Sequence, residues 1–255
     1  MHSFLVFLQK EFAEQLRTKR FFILLCFFAF FGFAVPAVTR YMDAIIAGTA
    51  GDAAAMIIEL EPTTWFDSWL QFYSLFGQLG ALGVIMLFMG CISGEKKSGS
   101  AALTLTKNLS HTSFVLAKFI SMLVLLMISF FLTVGVAYGY THFLFGYAGS
   151  LADVFLGAAA YGLALIVLLG LIVFSSALTK GSASSAMLAF SAYIFFFVIA
   201  SHIPGIHAWM PGTLAQQPLV VLEGGALQLT SVFGALGLTV LCLIGAIHTL
   251  KKQEI

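Results

Sequence analysis

Apolar runs nearly free of charge alternate with short polar clusters along the whole chain. Six runs have the length to cross a bilayer, over 21–38, 72–91, 114–140, 154–178, 182–203 and 228–250, each near the ~20 helical residues that ~30 Å of hydrocarbon requires. The pattern predicts an all-α integral membrane protein whose 255 residues form a single transmembrane domain. Residues 1–20 follow a different period. Phe4, Leu8, Phe12 and Leu16 recur every fourth position with Leu5 beside them, while Lys10, Glu11, Glu14 and Arg17 fall on other faces. That spacing describes an amphipathic helix lying along the membrane surface. A cleaved signal is not expected, because the run at 21–38 exceeds a signal core and lacks a small-x-small site.

The segments between the runs add detail. Segment 39–71 predicts a short helix over 52–60, a break at Pro62, and headgroup-belt aromatics at Trp65, Phe66 and Trp69. Segment 204–227 carries one charge, Glu223, and is broken by Pro204, Pro211, Pro218 and Gly224–Gly225. So apolar a connector predicts a re-entrant hairpin, packed on protein or facing a water-filled cavity.

Composition removes the soluble alternatives. With 60% hydrophobic and 9% charged residues and a mean hydropathy of +1.02, the apolar surface exceeds what a soluble core of this length can hide. If both termini are cytoplasmic, the inner segments hold Lys10, Arg17, Lys19, Arg20, Lys96, Lys97, Lys107, Lys118, Lys180, Lys251 and Lys252, leaving Arg40 outside. The positive-inside rule thus sets the orientation in a cytoplasmic (inner) membrane. The acidic residues Asp43, Asp52, Glu59, Glu61, Asp67, Asp153 and Glu223 lie on the outer side. A net charge of +1 gives no sign of a nucleic-acid partner; the basic span ends suit membrane lipids. Cys26, Cys91 and Cys242 are odd in number and lie within or at the edge of spans, which argues against a disulfide framework or a Cys metal site.

The inner segment 94–118 carries the strongest functional signal. Ser100 is placed to cap a short helix over Ala101, Ala102, Leu103, Thr104, Leu105 and Thr106, and Thr112 or Ser113 to cap the third span. Glu95, Lys96, Lys97, Gly99 and Lys107 surround that helix. An exposed rigid helix between two spans suits docking into a groove on a soluble partner; the plain alternative is a basic connector.

Three stretches resemble the permease subunits of type-2 ATP-binding-cassette (ABC) exporters, in the short six-span branch. They are Lys10-Glu11-Phe12 with Leu16-Arg17-Thr18-Lys19-Arg20, the run from Gly94 through Glu95, Lys96, Lys97, Ser98 and Gly99 to Ser100, and the passage from Leu105-Thr106-Lys107 to Lys118. The resemblance implies a coupling helix at 99–106 that touches a separate ATPase subunit. It implies two ATPase copies, which hold the ATP and Mg, and a second permease as homodimer or heterodimer. Asn108 and His111 stand where the family often has Pro after Lys and Arg, so the docking surface differs in detail.

What the chain lacks agrees with that class. No Asp, Glu, Lys or Arg sits mid-span, where ion-driven transporters keep one. No G-x-x-x-x-G-K-[ST] loop is present, so ATP hydrolysis is assigned to another polypeptide and the chain is read as no enzyme by itself. Neither H-E-x-x-H nor G-x-S-G occurs. His202 and His207 lack carboxylate or Cys neighbours for a metal, and Ser93 near Lys96 is a chance adjacency. The reading is therefore an ABC exporter subunit for an amphipathic or lipid-like substrate or peptide. The rival classes are an intramembrane enzyme, protease or lipid-modifying, and a non-transporting scaffold or immunity protein. Gly90-x-x-x-Gly94 and Gly135-x-x-x-Gly139 suit close helix approach within or between chains.

Overall fold

The structure is a computed structural model that describes residues 2–50, 63–101 and 109–253. The expected helix at 52–60 and the segment 102–108 lie outside the described residues. Helix α1 (His2–Arg17) turns through Thr18 and Lys19 into α2 (Arg20–Ala50), the first span. Lys19 takes a left-handed φ of 57°, uncommon for a residue with a side chain, and this single elbow breaks what is otherwise continuous helix.

The second span runs as α3 (Trp65–Leu75), a π turn (Phe76–Gly80) and α4 (Ala81–Phe88), followed by the short α5 (Ser93–Ser98). It starts earlier than hydropathy predicts because Thr64 and Asp67 form a capping box: Asp67 Oδ2 accepts from the Thr64 N–H at 2.8 Å. Spans three and four are α6 (His111–Phe145) and α7 (Leu151–Leu178). The fifth is α8 (Ser182–Tyr193) with a π segment (Ile194–Ile199) and a 3-10 turn (Ala200–His202). After a second 3-10 turn (His207–Trp209) come α9 (Pro211–Leu222) and the sixth span, α10 (Leu229–Lys252). The described residues contain six helices long and apolar enough to cross a membrane, and no strand.

Burial ranks the spans. In α7, 78% of the most apolar window is buried, against 17% in the fifth span and 28% in α10, so α7 is the post around which the others stand. It packs against α10, α9, α8 and α6, while α2 pairs with α6. Large apolar side chains such as Phe30, Met86, Phe233 and Leu241 point outward, the inverse of a soluble surface and the expected face toward lipid.

The expected re-entrant segment folds back. Pro211 opens α9 at a first-turn position, where a missing N–H costs nothing, and the helix lies against α7. Glycine makes the approach possible: a Cβ on Gly212 would sit 2.0 Å from the Phe197 carbonyl oxygen, and one on Gly157 would sit 2.7 Å from Pro218 Cα. Gln217 Oε1 accepts the Gln228 N–H at 3.1 Å and ties the middle of α9 to the start of α10.

One belt aromatic is in the core instead. Trp69 is 1% exposed, donates Nε1–H to the Ala148 carbonyl at 2.9 Å and packs with Phe72 and Tyr73. Its indole N–H thus finds a backbone acceptor rather than a headgroup. Trp65 and Phe66 remain half-buried at the surface.

Candidate functional site

One end of the bundle gathers α1, α5, the start of α6 and the ends of α7 and α10. The third span begins there with Ser110, whose hydroxyl accepts the Ser113 N–H at 3.1 Å. Ser110, not Thr112 or Ser113, is therefore the cap, because its extended backbone aims the side chain at the free amides of the first turn.

Two turns into α6, Lys118 is 3% exposed. A buried ammonium needs partners, and it has two: Glu11 Oε2 at 2.9 Å and Glu95 Oε1 at 2.6 Å. It also lies 5.2 Å from the Phe114 ring centroid. Glu11 comes from the face of α1 that carries Phe4, Phe7 and Gln15. Phe7 stacks on Phe114 at 5.6 Å, and Gln15 Nε2 donates to Ser121 Oγ at 3.1 Å. The predicted stripe is thus divided: Phe4 and Leu8 pack on the core, Phe12 is half-buried, and Leu16 is exposed with Leu5. Helix α1 has one face on the protein and a second, apolar face turned away from it.

Lys10 widens the network to Glu11 at 3.2 Å, Glu14 at 3.0 Å and Glu95 at 3.9 Å. Burial alone would lower the Lys10 pKa, but Glu11, Glu14 and Glu95 outweigh it and hold the ammonium above its usual range. Burial would raise Glu14, and the bond from Lys10 reverses that, keeping the carboxyl below its usual range. Carboxylate oxygens of Glu11, Glu14 and Glu95 come within 4.8 Å of one another, a spacing a cation would accept, yet the two lysines already answer these charges. Among the described residues Gln15 Oε1 and Glu95 Oε2 find no partner. A neighbouring cavity of about 180 Å³ has room for water.

The other side of α5 is fixed to α7. The N–H groups of Ile92 and Ser93 both donate to Ser176 Oγ, at 3.0 and 2.9 Å. Lys96 Nζ donates to the Ala177 carbonyl at 2.6 Å and to Gln253 Oε1 at 2.9 Å, a cation at the carbonyl end of a helix. Gly99, with φ 75°, ends α5 in the left-handed region. Thus Glu95 and Lys96 are committed inside the molecule, Lys97 and Gly99 are exposed, Ser100 is half-buried and Ala101 is 0% exposed. Ala102, Leu103, Thr104, Leu105, Thr106 and Lys107 lie outside the described residues. Ser93 and Lys96 do not pair: the Ser93 hydroxyl donates to the Met89 carbonyl. His202 is exposed and meets the Val198 carbonyl at 2.6 Å.

A chain with six candidate spans also matches one family model over most of its length. The model of the ABC-2 family transporter protein matches residues 5–244. The chain belongs to the ABC-2 transporter family. It is also similar to the uncharacterized transmembrane protein YxlG of Bacillus subtilis (strain 168), with 26% identity over 246 residues, 96% of this chain and 94% of that protein. Membership makes the chain a multi-pass transmembrane component of a transporter, implies association with an ABC ATPase subunit, and suggests a non-catalytic membrane subunit.

The sequence pointed to 94–118 but not to the Lys118 network. Lys118 reads as one more basic span end and Glu11 as part of a solvated face. A usable signal existed: Lys118 lies inside an apolar run, and Glu11 shares a helical face with Phe4 and Phe7.

Proposed function

We propose that this ABC-2 chain is the transmembrane subunit of an exporter, with both termini cytoplasmic and a second permease, a copy or a sister chain, completing the pathway. Two copies of a separate ATPase, holding ATP and Mg, dock on the segment 99–106. The cargo is amphipathic or lipid-like, or a peptide. The observation that carries this reading is the clamping of α5: Lys118 joins it to α1 and α6, and Ser176 and Lys96 join it to α7.

A force applied just beyond Gly99 meets a body fixed on two sides. It is passed to the third and fourth spans, and through α1 and the Lys19 elbow to the first, rather than lost in bending a loop. Protein interiors favour such transmission because packed elements shift between discrete arrangements. Purified alone, the chain is expected to hydrolyse no ATP; hydrolysis appears when the ATPase is co-expressed and co-purified. Robust hydrolysis by the chain alone, retained when every contaminating ATPase is removed, contradicts the reading.

A further inference from the structure

A second polar assembly lies within the spans, away from the ion network. A cavity of about 410 Å³ opens among the second, fourth and fifth spans and α9, within the size range of small-molecule sites. Tyr73 and Tyr161, each only 4% exposed, line this cavity, and the Tyr161 hydroxyl lies 3.5 Å from where a Cβ on the lining residue Gly77 would stand. Among the described residues neither hydroxyl donates to a protein acceptor, in contrast to Tyr193, which donates to the Gly77 carbonyl. A tyrosine packed in apolar surroundings normally gives its hydroxyl a partner.

The mouth repeats the observation. Ser74 and Gln78, one turn apart on the second span, and Gln216 of α9 line the cavity and are exposed on the outside of the subunit. Among the described residues Gln78 Nε2 reaches only Ser74 Oγ, at 3.4 Å. Polar groups on a membrane-facing surface are costly without a partner. The backbone is irregular on both sides: the π turn Phe76–Gly80 lies beside the cavity, and the π segment Ile194–Ile199 starts directly after Tyr193. Such insertions recur at functional sites.

We propose that this cavity is a binding site for an amphiphile with an uncharged, hydrogen-bond-accepting head, such as a glycerol ester. The Tyr73 and Tyr161 hydroxyls donate to the head, and Leu165, Leu168 and Leu219 hold the start of its apolar body. The absence of any Asp, Glu, Lys, Arg or His among the described lining residues sets the preference, because a charged head would lose hydration and meet no counter-charge there. A neutral membrane lipid and a neutral exported molecule share this chemistry; only the second source rests on the exporter reading.

The test uses the full-length protein in phosphatidylcholine nanodiscs with a diazirine-bearing diacylglycerol, and maps the adducts by mass spectrometry. Adducts are expected at Ala164, Leu168 and Phe197. Dioctanoylglycerol should compete at about tenfold lower concentration than dioctanoyl phosphatidate, and Tyr73→Phe with Tyr161→Phe should raise the competing concentration about tenfold. If that pair does not fold, Ser74→Ala with Gln216→Leu, at exposed positions, should raise it severalfold. A neutral lipid that co-purifies from the native membrane and is depleted in the variant identifies a membrane source; a site empty on isolation that fills with added diacylglycerol identifies an external one. Adducts scattered over lipid-facing residues such as Phe30 and Met86, equal competition by both lipids, or indifference to the tyrosine changes overturns the site. Loss of specific labelling with ATPase association intact removes this site alone, whereas labelling that persists in a chain that never binds an ATPase removes the exporter reading alone.

Discussion

Lys118 sits in apolar surroundings because two carboxylates from distant parts of the chain meet it, 107 and 23 residues away in sequence. Removing it strands both. Lys118→Met is expected to destabilise the protein by ~3–5 kcal/mol, the usual cost of breaking a buried pair from one side, read as denaturant unfolding in detergent. Adding Glu11→Gln should recover part of that loss, since partners in one network are not additive. An unchanged unfolding midpoint for Lys118→Met contradicts the network. Glu95→Lys would set a third cation beside Lys10 and Lys118, so its effect is first on the bundle and only then on docking. None of this was legible residue by residue. A lysine near a span end looks the same whether it faces headgroups or a carboxylate, and only the packing of α1 on α6 separates the two cases.

Elements were far more legible than pairings, because the length of an apolar run is itself the physical requirement for crossing a bilayer. Their ends were less so. Hydropathy reports depth in the membrane, whereas Thr64, Asp67 and Ser110 set where helix starts. The period of α1 gave a helix but not its inward face, since Glu11 and Gln15 are polar residues buried by specific partners. The attachment of α1 also has a pH window. The lowered pKa of Glu14 contributes stability above its ordinary value of 4.5 that is lost as pH falls below it. The raised pKa of Lys10 contributes stability below its ordinary 10.5 that is lost as pH rises through the folded value. Spin labels at Gln9 and Lys251 should give a narrow distance distribution between these limits and a broader one below about pH 4.5. A distribution unchanged down to pH 3 contradicts the role of Glu14.

The whole molecule is read as a lever fixed on a bundle. The orientation we propose for it rests on the basic residues alone. Cysteine labels at Ser98 and Gln253 should react only from inside and one at Gly149 only from outside, and labelling of Ser98 in intact cells would reverse the topology. The central claim is that 99–106 drives the bundle as a rigid helix against a separate ATPase, and Ala102→Pro tests it most directly. Proline removes a backbone donor and clashes with the preceding turn, at ~3 kcal/mol within a helix. The measurement is co-purification of the ATPase with tagged wild-type and variant chains at matched membrane levels. The account predicts that the wild type retains the ATPase and Ala102→Pro loses it while the six-span bundle stays folded. Equal recovery of an active ATPase by both chains would contradict it.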